Sequence, residues 1–117
     1  MAQIPYKELS LEMKRLKKIL KNIPEDRRPI GESMFEELAF MDKTMDSLKA
    51  RVNKDGPVDL FKQGKQEFLR ESPALTAYNK TLQRFNQTMK QLIDLLPKED
   101  IAEDDPLLEF VKGGKSG

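Results

Sequence analysis

The sequence predicts a mainly helical, all-α fold: a long antiparallel helix pair with a short β-hairpin insertion, preceded by a basic N-terminal helix and followed by a flexible tail. Three observations carry this. Apolar residues recur at alternating steps of 4 and 3 in three separate stretches, proline and glycine punctuate those stretches, and the period vanishes in one short interval between the second and the third.

In the first stretch Leu9, Met13, Leu16, Leu20 and Ile23 step by 4, 3, 4 and 3, and Pro24 follows directly. That spacing is one helix with a narrow apolar seam. At about 100° per residue Lys7, Lys14, Lys18 and Lys21 gather on the opposite side, flanked by Lys17 and Arg15. The back of the helix is cationic. Pro24 to Gly31, which contains Glu25-Asp26-Arg27-Arg28, reads as a connector.

Ser33 with Glu36 forms a capping box for the second helix, whose seam runs Met34, Leu38, Met41, Met45, Leu48 and Val52 before Gly56-Pro57 stops it. Phe35 and Phe40 lie off that seam, so a simple helical hairpin would leave them exposed and in need of a second partner. From Val58 to Arg70 the helical period is replaced by rough alternation around Lys62-Gln63-Gly64-Lys65, which predicts a hairpin near 58–71. Ser72-Pro73 then caps the third helix, with Leu75, Tyr78, Leu82, Phe85, Met89, Leu92 and Leu96 as its seam and Pro97 as its stop. Beyond it, residues 98–105 are an acidic linker, and Leu107, Leu108, Phe110 and Val111 form a small apolar patch that reads as a docking peptide.

At 117 residues the chain is one domain, organised as a basic helix and connector (1–28), a helical body (29–97) and an acidic linker with tail (98–117). The formal net charge of +1 hides a gradient: eight basic and four acidic side chains in 1–28, ten of each in 29–97, three basic and six acidic in 98–117. With no Cys and no His, thiol nucleophiles, His-dependent triads and ordinary zinc sites are excluded. No metal and no cofactor is expected. Neither a signal peptide nor an apolar run of membrane-spanning length is visible, so the chain is read as cytoplasmic with no membrane partner.

The weaker motifs resolve on physical grounds. Gly114-Lys115-Ser116 lacks both the upstream glycine of a phosphate loop, where Glu109 stands, and a following helix. The acidic residues of 99–105 have no rigid frame to fix a hard cation and read as a solvated linker. The basic stripe has three readings: phosphate neutralisation, a merely solvated face, or a lipid surface, the last disfavoured by the lack of aromatic anchors in the seam. For Arg27 and Arg28 the choice is between phosphate and an ion pair with Glu25 or Asp26.

Phe35-Glu36-Glu37-Leu38-Ala39-Phe40-Met41, the turn Asp55-Gly56-Pro57-Val58, the hairpin at Gly64, and Arg70-Glu71-Ser72-Pro73-Ala74-Leu75 followed by Tyr78-Asn79-Lys80 resemble the small subunit of bacteriophage terminases, in the P27-like group of tailed phages and prophages. The likeness runs over Ile30 to Pro97 and is a pattern spread over two helices and a hairpin. It implies a non-enzymatic protein of the host cytoplasm that recognises double-stranded viral DNA and hands it to a large subunit carrying the ATPase and nuclease. It also implies a homo-oligomeric ring, of about eight to ten subunits. On that reading DNA contacts fall on Lys7, Lys14, Arg15, Lys17, Lys18, Lys21, Arg27 and Arg28. The oligomer interface falls on Phe35, Leu38, Phe40, Met41, Met45, Tyr78 and Phe85, and the large subunit docks at Leu107, Leu108, Phe110 and Val111. Too few residues precede the body for a three-helix DNA-binding unit, so the basic helix and the ring body both stay open as the main DNA surface.

Two other classes compete. A small helical interaction or scaffold protein would use its seams for a partner and its basic stripe for solubility alone. An enzyme working through Glu32, Glu36 and Asp42 needs two of them fixed in one pocket, which no spacing provides.

Overall fold

The computed structural model describes residues 4–97. Ser10 opens helix α1 (Leu11–Ile19) by accepting a hydrogen bond from the Met13 amide at 3.3 Å, which satisfies one of the free amides of the first turn. A one-turn 3₁₀ segment at Tyr6–Glu8 precedes α1, and another at Leu20–Asn22 carries its seam on to Ile23. All five seam residues, Leu9, Met13, Leu16, Leu20 and Ile23, are buried.

Helix α2 (Arg28–Asp55) starts more than a turn before the expected capping box. Pro29 suits the first turn, where no backbone N–H is required, and Arg27 holds the capping position without a side-chain cap. Ser33 consequently lies inside the helix and faces solvent. Gly56 ends α2 at φ +89°, its amide donating to the Val52 carbonyl at 2.7 Å. A side chain rarely tolerates that backbone conformation.

Strands β1 (Val58–Gln63) and β2 (Gln66–Glu71) pair antiparallel, from Val58 opposite Glu71 to Gln63 opposite Gln66. Their turn places Gly64 at φ +63° and Lys65 at negative φ, the arrangement of a type II′ hairpin turn. Helix α3 (Pro73–Ile93) follows at once, with the Ser72 hydroxyl accepting from the Ala74 and Leu75 amides at 3.1 and 3.4 Å. Ser72 is itself buried, so solvent is poorly placed to replace the cap. Ser72→Ala is expected to cost about 1 kcal/mol. The readout is a lower urea midpoint at unchanged slope, and an unmoved midpoint would show that the cap contributes nothing.

The first turn of α2 meets the last turn of α3. A Cβ on Gly31 would lie 2.5 Å from Ile23 Cδ1, 3.5 Å from Leu92 Cδ1 and 3.7 Å from Leu95 Cδ1, so glycine allows three segments to converge there. At the other end Lys49 Nζ sits 5.7 Å from the Tyr78 ring centroid. These contacts make α2 and α3 antiparallel, with the hairpin beyond the Lys49 end of a body 60 × 32 × 23 Å.

Burial is graded along this body because the first segment covers only one end. Phe85, Met89 and Leu92 are buried where three segments meet, whereas Leu75, Tyr78 and Leu82 are half-buried where only two helices remain. Phe35 departs from the sequence expectation, being 5% exposed, because the first segment lies over it. Phe40 keeps the expectation at 46% exposed. The acidic linker and the patch at Leu107, Leu108, Phe110 and Val111 lie outside the described residues.

Candidate nucleic-acid interface

The seam of α1 fixes which way its cations point: with Met13, Leu16 and Leu20 turned into the core, the opposite stripe must face water. Lys7, Arg15, Lys18, Lys21 and Arg27 are all exposed. The other three basic candidates, of which Lys17 is also exposed, make contacts within the fold. Lys14 is half-buried with Nζ 5.5 Å from the Tyr6 ring centroid, and Lys17 Nζ is 5.2 Å from the Phe35 ring centroid. Each contact of this kind contributes about 0.5–1 kcal/mol near a surface.

Arg28 is turned inward. Its Nη2 donates to the Lys21 carbonyl at 3.1 Å and the Ile23 carbonyl at 3.2 Å, closing the end of the first segment onto α2. Its Nε is buried and makes no hydrogen bond within the described structure. The anticipated ion pair with Glu25 or Asp26 is thus replaced by backbone carbonyls, because the early start of α2 carries Arg28 under the segment's C-terminal end. Lys17, Lys21 and Arg28 line a groove of about 380 Å³ together with Glu32, Glu36, Phe35 and Leu20. Two carboxylates on its wall offset two of the three cations there, so the outward stripe of Arg15 and Lys18 is a more cationic surface than the groove.

Asp42, the third carboxylate considered for catalysis, is half-buried on α2 beside the start of α1. Loss of solvent is the main cause that raises its pKa, reinforced by Asp46 and Glu12, while a hydrogen bond from Ser10 and the charge of Lys43 oppose the rise. A carboxyl with a raised folded pKa stabilises the fold in its protonated form, and that contribution is lost as pH climbs through the folded value. Asp42→Asn is therefore expected to raise stability at pH 7, with the gain shrinking towards pH 4. Denaturant midpoints at the two pH values read this directly, and an equal gain at both would assign the effect to something other than ionisation. Among the described residues no three acidic side chains come together to hold a metal ion.

The seven apolar residues expected at an oligomer interface divide. Phe35, Leu38, Met41, Met45 and Phe85 are buried in the chain's own core, so they are not available to a second copy. A seam at steps of 3 and 4 looks the same whether the covering segment is its own or another's. Phe40 is exposed and Tyr78 half-buried. Phe40 lies with Ala77, Thr81, Glu37, Lys80 and Arg84 along an open groove between α2 and α3. The hairpin adds residues that the sequence reading missed: Leu60 and Leu69 face each other across the ladder at 51% and 71% exposure, beside Val58. Phe61 and Phe68 pair on the other face with ring centroids 5.1 Å apart, and Arg70 stacks 4.3 Å over Phe61 while bonded to Asp59. The alternation was readable, but which residues a two-stranded ribbon leaves uncovered depends on where it projects.

Among the described residues no helix is long and apolar enough to cross a membrane. No protein-family model, curated protein or solved structure matches the chain.

Proposed function

We propose that the chain is the small subunit of a phage terminase, a ring-forming protein of the host cytoplasm that binds double-stranded viral DNA and regulates a large ATPase and nuclease subunit. The observation that carries the reading is a division of surface. One end of the molecule turns Arg15, Lys18 and Lys21 to solvent, the hairpin end leaves Val58, Leu60, Phe68 and Leu69 uncovered, and Phe40 is exposed midway along α2. A single cationic helix grips a duplex weakly, but copies arrayed in a ring act together, each neutralised phosphate releasing counterions. A two-stranded ribbon is marginal alone and gains from a neighbour. The resemblance of residues 30–97 supplies the identity of the assembly, and Leu107, Leu108, Phe110 and Val111 are assigned to large-subunit contact. No residue is assigned a catalytic role.

A second reading, a helical interaction protein that binds no nucleic acid, draws on the structural employment of Lys14, Lys17 and Arg28. Native mass spectrometry separates the two. A closed species of about eight to ten subunits is expected. A monomer or dimer would remove both the ring and the multiplicity that the basic stripe requires, and would leave the interaction protein.

A further inference from the structure

We propose that the acidic stretch 99–105 of this chain lies along the cationic face of its own first helix and competes with nucleic acid for that face. Place, charge and length name the occupant. Leu92 and Leu95 stand with Ile23 around Gly31, and Leu96 joins Leu20 and Ile23 in one buried cluster. The described structure therefore ends, at Pro97, beside the C-terminal end of the basic segment. The next eight residues, 98–105, carry five carboxylates and a single lysine. Extended, they reach at most about 28 Å. Helix α1 and its 3₁₀ continuation together run only about 18 Å, so length is no obstacle to doubling back over Lys21, Lys18 and Arg15. Glu32 and Glu36, set among Lys17, Lys21 and Arg28, make the groove a poorer match for the stretch than the outward stripe.

Exposed ion pairs are each worth at most about 1 kcal/mol, but a tether this short keeps the carboxylates at millimolar effective concentration. The cover is consequently weak, reversible, displaced by a polyanion and dissolved by salt. The competition rests on the nucleic-acid reading above, whereas the pairing itself does not.

Zero-length carbodiimide coupling of the full chain tests the pairing. At low salt, links from Glu99, Asp100, Glu103, Asp104 or Asp105 to Lys14, Lys18 or Lys21 are expected, and they should disappear by about 0.3 M salt. In a mixture of ¹⁴N- and ¹⁵N-labelled protein the links should join chains of one isotope only. Absent links, or links that join the two isotopes in the share random pairing gives, overturn the proposal whether or not DNA binds. Duplex affinity tests the competition. Neutralising the five carboxylates (Glu→Gln, Asp→Asn) should tighten binding about threefold to tenfold at about 50 mM salt, and this gain should be lost when Arg15, Lys18 and Lys21 are replaced by glutamine. An equal gain in both backgrounds would reduce the effect to net charge and overturn the competition. Links without any DNA binding would uphold the pairing and refute the proposed function instead.

Discussion

Phe85→Ala is expected to cost about 3–5 kcal/mol. The ring is 1% exposed on α3, at the level where the first segment joins α2 and α3 and the core becomes three segments deep. The other buried members of the cluster, including Leu38, Met41 and Met89, are held on two long helices packed against each other, so the surroundings have little freedom to collapse into the gap. For a small domain with a total stability of about 5–15 kcal/mol, a loss of that size leaves a marginal fold. The measurement is a urea titration in which the midpoint falls while the slope is kept. Leu75→Ala is the internal control. That side chain is half-buried near the hairpin, so its truncation should cost clearly less than the Phe85 change. Equal costs would mean that the hairpin end is covered in solution, which is what a neighbouring subunit would do.

That contrast also marks how far the residues could be read without coordinates. The three helices, the hairpin and its Gly64 turn follow from local chemistry, since steps of 3 and 4, a Ser-Pro start and a Gly-Pro stop each act within one or two turns. The start of α2 did not follow, because Ser33-Glu36 satisfies the capping pattern while Pro29 satisfies an earlier one, and packing of Gly31 against Ile23 and Leu92 favours the earlier. Tertiary contacts decided between two locally valid signals. The same limit governs the candidate surfaces. The basic stripe was legible because its periodicity opposes an apolar seam, but the inward turn of Arg28 depends on where α2 begins. Phe35 is buried for a related reason: its cover comes from residues 9–23, distant in sequence. The hairpin's open faces are a property of where the ribbon projects, on which its own alternation is silent.

Reversing Arg15, Lys18 and Lys21 to glutamate is expected to weaken binding to duplex DNA by two to three orders of magnitude, roughly, at about 50 mM salt. These three are chosen because their side chains are exposed, whereas Lys14 and Lys17 also rest on Tyr6 and Phe35 and would confuse lost affinity with lost packing. Each phosphate neutralised contributes about 0.9 to the slope of log K against log salt, so removing three contacts from one engaged chain should lower that slope by about 2.7. The slope is the discriminating quantity, because a change that merely disturbs the fold lowers affinity without that charge signature. The urea midpoint should move little, as exposed substitutions away from caps and core fall within about 0.5 kcal/mol. Retained affinity with a retained slope would take DNA off the first helix and place it on the body, where Lys80 and Arg84 border the open groove beside Phe40. Lost affinity with an unchanged slope would point to altered assembly instead, since a ring that fails to close forfeits multiplicity before it forfeits any single contact.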